Sequence, residues 1–330
     1  MPTILMTAPY MIPFMDRFRP VFEHYGIEVI VPTVEERMEE DALLPYAGQV
    51  DGTICGDDRY TPRVLACFAP RMRVISKWGT GIDSIDRAAA ASLGIQVRNT
   101  PNAFTLPVAD SVMGYMLSFV RRLPWMDRAV KSGVWQKIPG RSLSECTLGV
   151  IGVGNIGKAV IRRARAFGMT ILGNDIVPIA PDFILENRVE MTTLEDLMRR
   201  SDFISVNCDL NSTSRHIINA ESLAWCKPSA VLINSARGPL VDEKALCAAL
   251  ESGVIAGAAM DVFEEEPLPA DSPLLKMDNV MLAPHNANSS PMAWERVHWN
   301  TIRNLIDGLG MATADLEQLI AADAASSACK

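Results

Sequence analysis

Short apolar runs alternate with longer, partly polar segments from the first residues onward. Residues 3–8, 27–32, 52–56, 73–79 and 95–100 read as strands, and the stretches between them carry the polar faces of helices. Alternating strands and helices predict a parallel sheet covered on both sides. Five such units make an open α/β domain ending near residue 100.

Pro101 and Pro107 interrupt the pattern. Between Pro107 and Pro124 lies an apolar-rich helix candidate, residues 108–122, with Asp110 near its start. Two readings stay open for it: a connector or subunit contact, or a buried core helix. A second α/β series follows, with strands at 147–152, 170–174, 203–208, 231–235, 255–262 and 280–284. Its first helix, 156–167, stops at Gly168, a residue suited to the position just past a helix end. Farther on, Ser290 and Pro291 supply an N-cap and a first helical residue for an apolar stripe of Trp294, Val297, Ile302 and Leu305. Gly308 and Gly310 end that helix, and the Ala- and Ser-rich stretch 311–330 reads as a loosely held tail.

The 330 residues suggest two domains at roughly 100–200 residues each. Apolar residues at 48% and charged residues at 21% exclude disordered and fibrous classes. A net charge of −8 disfavours binding to phosphate backbones, although a site can still be locally positive. Seven scattered cysteines without a C-x-x-C pair fit reduced thiols, not a disulfide framework or a metal site. No apolar run approaches the roughly 18 residues of a membrane span, and no basic segment precedes the first apolar run. The expectation is a cytoplasmic protein that binds neither nucleic acid nor membrane.

Residues 148–160 read LGVIGVGNIGKAV, which sets Gly152, Gly154 and Gly157 in G-x-G-x-x-G between a strand and a helix. Gly152 permits the tight turn, Gly154 admits a pyrophosphate to the backbone, and Gly157 lets helix pack on strand. The helix N-terminus offers amides and a positive dipole end to the phosphates. Asp175 ends the next strand, where its carboxylate suits ribose hydroxyls and repels a 2′-phosphate, so NAD is expected over NADP.

Three further strand ends carry chemistry-bearing side chains. His285 follows VMLAP at the carboxyl end of a strand, where open α/β sheets place ligands, and an imidazole exchanges protons near neutral pH. Arg237, in VLINSARG, can clamp a carboxylate bidentately. AAMDVFEEEP places Asp261 at a strand end with Glu264, Glu265 and Glu266 behind it. One of these acids can hold a histidine in the right tautomer, while Glu264 and Glu265 suit a solvated loop. In the first domain, KWGTGIDSID flanks Thr80 with Gly79 and Gly81, a small nest of amides that can meet an anion opposite Arg237.

Taken together, VIGVGNIG, Asp175, NCDLNSTSRHIIN, LINSARGPLVDE, GAAMDVFEEEPLP and NVMLAPH resemble the D-isomer-specific 2-hydroxyacid dehydrogenase family, in its phosphoglycerate dehydrogenase-like branch without a regulatory domain. The resemblance implies an α/β fold of two flavodoxin- or Rossmann-like domains with parallel sheets, the NAD-binding domain (101–289) inserted into the substrate domain (1–100 with 290–330). It implies a catalytic set of Arg237, Glu266 and His285. Cofactor contacts would come from Gly152, Gly154, Asn155, Ile156, Gly157, Asp175, Cys208, Asp209, Ser235, Ala236, Arg237, Asp261 and His285, with Asp261 on the nicotinamide carboxamide. Substrate contacts would come from Lys77, Trp78, Gly79, Thr80, Gly81, Arg237 and His285.

Two departures stand out: Asn207-Cys208-Asp209-Leu210-Asn211 replaces the usual H-x-P-L-T, and Pro101-Asn102 replaces P-G. Glu266 argues against the formate dehydrogenase branch, which carries Gln. The implied reaction is hydride transfer between nicotinamide and C2 of a small 2-hydroxy or 2-keto acid: glyoxylate, hydroxypyruvate or glycerate, or 3-phosphoglycerate. Cys55 and Asp57 stand where phosphoglycerate enzymes carry arginines, which weakens the phosphorylated option. A different class within the family, NAD-binding corepressors that bind peptides, is the alternative. Family members are dimers through the cofactor domain, and residues 108–122 with Trp125 would supply apolar contact area.

Overall fold

The structure, a computed structural model, describes residues 1–328; Cys329 lies outside the described residues. The chain divides into two compact units, Met1–Ala103 with the segment from Ser290 onward, and Phe104–Ser289. The first boundary falls after Ala103, a few residues past the expected one.

In the first unit, β1 (Thr3–Met6), β2 (Glu28–Ile30), β3 (Gly52–Cys55), β4 (Val74–Lys77) and β5 (Gln96–Arg98) form one parallel sheet in the order β2-β1-β3-β4-β5. β1, β3 and β4 are buried throughout, as expected of inner strands covered on both faces. One face carries a core of Leu5, Tyr60, Leu65, Phe68 and Ile75. On the other lies the helix Pro291–Gly308, begun as the sequence predicts: the Ser290 side chain accepts from the Ala293 amide and Pro291 opens the first turn. Its contact is close enough that a Cβ on Gly308 would come within 2.4 Å of Val74.

The C-terminal stretch departs from the expected loose tail. It forms a helix over Leu316–Ala328. Leu316 is buried, Arg303 pairs with Glu317, and the Arg17 guanidinium bridges Asp323 (Nε–Oδ1 2.9 Å) and Glu295 (Nη1–Oε2 2.8 Å). These partners are far apart in sequence, so Ala and Ser content alone could not show them.

In the second unit, β6 (Thr147–Ile151), β7 (Thr170–Asn174), β8 (Val189–Met191), β9 (Phe203–Val206), β10 (Val231–Asn234), β11 (Gly257–Met260) and β12 (Val280–Leu282) make a parallel sheet in the order β12-β11-β10-β9-β6-β7-β8. Strand order reverses between β6 and β9, the place where such sheets open a ligand crevice. β8 is absent from the sequence reading, because a three-residue edge strand with a central Glu190 has no apolar run. The helix Thr105–Arg121 turns Ala109, Val112, Met116 and Phe119 into the core of its own unit, so of the two readings its inner face follows the buried one. Among the described residues no helix is long and apolar enough to cross a membrane.

Two buried titratable groups in the first unit oppose each other. The Trp78 indole N–H donates to His298 Nδ1 at 3.0 Å, and burial pushes His298 down to about 4 from 6.5. Between those values the unfolded chain binds the proton and the folded chain does not, so stability falls as pH drops. Asp58, fully buried, is pushed up to about 6 from 3.8 by burial, so acidification through that range relieves the cost of its charge. Replacing His298 by Asn isolates the first effect. In urea unfolding, the stability advantage of wild type over His298→Asn should shrink by on the order of 3 kcal/mol from pH 7 to about pH 4. A constant difference across that range would contradict the assignment.

Candidate active site

The loops after β6, β9, β10, β11 and β12 all leave the carboxyl edge of the second sheet. After β6, Gly152 adopts φ 87°, and a Cβ there would meet the Cys208 amide nitrogen at 2.5 Å. A Cβ on Gly157 would lie 2.1 Å from the Gly152 carbonyl oxygen. Packing therefore excludes side chains at both. Gly154 is different: a Cβ there meets nothing within 4 Å, so the bare backbone borders open space. Gly154 caps the helix Asn155–Ala166, whose first turn, through Ile156 and Gly157, presents amides and a positive dipole end to that space.

Asp175 is half-buried beside the loop. Its Oδ2 accepts from the Val153 amide at 2.6 Å and its Oδ1 from Val177 at 2.9 Å. Two backbone donors hold the carboxylate in place, with the exposed Ile176 and Val177 next to it. Asp209 is exposed, while burial pushes the neighbouring Cys208 thiol up to about 11, so it stays protonated at neutral pH. Asn207 Oδ1 and Ser235 Oγ, at the ends of β9 and β10, are buried with no hydrogen-bond partner among the described residues. Orphaned polar atoms beside a bare glycine loop are what a polar, phosphate-bearing ligand would satisfy, so these residues fit a dinucleotide.

After β10, the buried Asn234 shapes the turn that carries Arg237. Its Nδ2 donates to the Arg237 carbonyl at 2.8 Å and its Oδ1 accepts from the Ala236 amide at 3.1 Å. Arg237 Nη1 donates to the Ala236 carbonyl at 2.8 Å. A Cβ on Gly238 would fall 1.8 Å from the Phe263 carbonyl oxygen, so this turn rests directly on the loop after β11.

That loop begins with Asp261, which is 1% exposed. Its Oδ1 accepts from the Asn286 amide and its Oδ2 from Ala287, each at 2.8 Å, and its carbonyl accepts from the His285 amide at 2.7 Å. Burial raises its carboxyl above the usual range against these bonds. Asp261 thus anchors the turn in which His285 takes a left-handed φ of 51°, uncommon for a residue with a Cβ. Of the acids read from the sequence, Glu266 is the one facing this imidazole: Oε2 lies 2.9 Å from His285 Nδ1, while Oε1 accepts from the Phe263 amide at 2.9 Å. Glu264 is exposed, as the solvated-loop expectation has it, and it also has a partner. Its carboxylate pairs with His216 Nε2. Glu265 is exposed as expected.

In the first unit, the expected substrate residues lie at the end of β4. Lys77 is buried, with Nζ 3.0 Å from Asp57 Oδ1 and donating to the Trp78 carbonyl at 2.9 Å. Trp78 is 4% exposed. Gly79 takes φ 111° and its carbonyl accepts from the Thr100 amide, while the Thr80 hydroxyl donates to the Thr100 carbonyl at 3.0 Å. The turn is fixed through carbonyls and a side chain, and the amides of Thr80 and Gly81 take no part in these bonds.

Sequence reasoning missed Asn234, His216 and Tyr115. The Tyr115 hydroxyl lies 3.4 Å from Asp261 Oδ1, and burial pushes it up. Asn234 precedes Arg237 by three residues, a spacing that suits a side chain bonding its own turn. Nothing local to Tyr115 or His216 marks them.

Comparison with known proteins completes the picture. Residues 113–287 match the model of the D-isomer specific 2-hydroxyacid dehydrogenase NAD binding domain. The chain is 42% identical over 244 residues to a glyoxylate reductase of Korarchaeum cryptofilum, covering 72% of this chain and 73% of that one. It is 44% identical over 260 residues to a D-3-phosphoglycerate dehydrogenase of Methanocaldococcus jannaschii, covering 78% of this chain but 49% of that longer protein. The crystal structure of D-lactate dehydrogenase from Aquifex aeolicus, complexed with NAD and lactic acid, superposes with a TM-score of 0.83 at 27% identity, over 96% and 97% of the two chains. With the nucleotide loop, the strand-end residues and these likenesses in agreement, the chain belongs to the D-isomer-specific 2-hydroxyacid dehydrogenase family and is an NAD-dependent oxidoreductase.

Proposed function

We propose that this chain interconverts a small D-2-hydroxy acid and its 2-keto acid, with Arg237, Glu266 and His285 as the groups that handle the substrate. The observation that carries this is the His285–Glu266 pair at 2.9 Å, set by neighbouring strand ends beside the Arg237 turn. NAD, when bound, supplies the hydride acceptor or donor at its nicotinamide. The residues with roles in holding it are the Gly152–Gly157 loop with Asn155 and Ile156, then Asp175, Cys208, Asp209, Ser235, Ala236 and Asp261. Arg237 pairs with the substrate carboxylate and polarises the C2 oxygen. Glu266 accepts from His285 Nδ1–H, which leaves Nε2 to give a proton to that oxygen in reduction and take it back in oxidation. Replacing His285 by Ala should lower kcat by ~10²–10⁴-fold and leave NAD affinity unchanged. The check is NADH loss with 2-keto acids together with NAD titration. Near-wild-type turnover in that variant would remove His285 from the proton step.

For the substrate, we favour an acid with an uncharged tail. Lys77 is the buried cation beside the glycine turn of the first unit, and Asp57 neutralises it at 3.0 Å. Next to it stand Tyr10, Trp78 and Trp294, with ring centroids 5.1–5.7 Å apart. A phosphate needs cations in excess, and this corner offers an ion pair and aromatic faces instead. Trp78, Thr80 and the Gly79 and Gly81 backbone are proposed to meet the substrate with Lys77. With NADH, kcat/KM for glyoxylate or hydroxypyruvate should exceed that for phosphohydroxypyruvate by at least ~10-fold, and Asp57→Asn should narrow the gap by releasing Lys77. Equal values in wild type would reverse the reading.

We also infer a cytoplasmic homodimer through the NAD-binding unit. The six described cysteines are free, as a reducing compartment requires. The expected contact area shifts position: the helix Thr105–Arg121 spends its apolar face on its own core, and Trp125 donates to the Asp278 carbonyl and stacks near Phe119. Exposed apolar side chains stand at Leu123, Val130, Val134 and Trp135, the last 90% exposed. Light scattering after size exclusion should give twice the 36.1 kDa chain mass, and Trp135→Glu should lower it. A wild-type mass of one chain would refute the dimer.

A further inference from the structure

The site holds a second histidine–glutamate pair, and the reaction proposed above does not use it. His216 lies between β9 and β10, with a left-handed φ of 51°, like His285. Its amide donates to the Pro239 carbonyl at 2.9 Å, two residues past Arg237. Its imidazole Nε2 pairs with Glu264 Oε1, two residues before Glu266. One side chain and its own backbone therefore touch both loops that deliver the reacting groups.

The surrounding bonds make the contact consequential. The Glu264 amide donates to the Glu243 carboxylate, and the Phe263 amide donates to Glu266 Oε1. The Phe263–Glu264 peptide is also the surface on which Gly238 rests. Glu266 is thus aimed at His285 by a short backbone stretch, and that stretch is held from outside by Glu264. Four carboxylates, Glu243, Glu264, Glu265 and Glu266, crowd this corner, and burial together with these neighbours raises the Glu243 carboxyl. His216 and His285 are the imidazoles that face them.

The geometry points to His216 as a positioning residue: through Glu264 and Pro239 it fixes the relative placement of Glu266 and Arg237. The inference rests on the reading of Arg237, Glu266 and His285 given above. A merely structural pair would alter stability alone, whereas a positioning pair acts on turnover and acts as a unit.

The test is a double-mutant cycle of His216→Ala and Glu264→Ala, with His285→Ala as reference. Readouts are kcat and KM for hydroxypyruvate, the pH profile of kcat/KM, NADH affinity and thermal unfolding. Each single variant should lower kcat by ~10–100-fold, with KM and NADH affinity within about threefold and a changed pH profile. The double variant should be no worse than the poorer single one. Glu264→Gln, which keeps an acceptor for the imidazole, should recover most of the loss. Glu264 is exposed, so its variants keep the test open if His216→Ala fails to fold. Full kcat in both single variants, or losses that simply multiply, would overturn the proposal while His285→Ala remains inactive. A fully active His285→Ala would instead overturn the reading of the site, and the proposal with it.

Discussion

Asp261 sits buried at the end of β11 with two backbone amides on its carboxylate. Those amides belong to the two residues after His285, and the His285 amide itself bonds the Asp261 carbonyl. The result is a histidine locked in a backbone conformation that it would rarely choose. A charged side chain is costly to bury without such donors, and here the donors are the turn that has to be held. Remove the carboxylate and the imidazole has no reason to stand where Glu266 can meet it. The resemblance gives this aspartate a role on the nicotinamide carboxamide; the structure adds a role inside the protein, as the peg for the turn that brings His285 to Glu266.

The first unit solves a related problem differently. Lys77, Asp57 and Asp58 bring three ionisable groups to the ends of β3 and β4, two of them buried. Asp58 is satisfied by the Thr7 hydroxyl and the Met38 amide, and Lys77 by Asp57. Each charge is spoken for within the unit. The aromatic group of Tyr10, Trp78 and Trp294 stands beside these charges.

Features that depend on neighbours in sequence are legible in the sequence itself. The buried parallel strands appear as apolar runs, the glycine loop as fixed spacings, and Arg237 and His285 as residues just past strands, while Glu266 is singled out from its neighbouring acids only by the family resemblance. Features that depend on distant partners are not. The C-terminal helix hangs on Arg17, some three hundred positions away, and its Ala-rich composition carries no trace of that bond. β8 is too short to show a period. Glu264 looks like one acid of three until His216 is found against it, and Lys77 looks like an available cation until Asp57 is. Apart from β7, whose bounds match, the expected strands run one or two residues past the observed C-terminal ends, because the apolar run continues into the turn after the ladder stops.

The absent side chain at position 238 has a mechanical meaning. With the Gly238 Cα pressed against the Phe263 carbonyl, the turn carrying Arg237 and the loop carrying Glu266 cannot slide past each other. They behave as one moving part with a shared bearing surface. A shift of one loop against the other would break this backbone contact, so guanidinium and carboxylate are held in fixed relation. A lineage that enlarged residue 238 would have to rebuild both loops at once, which makes this small contact a brake on how far the site can drift.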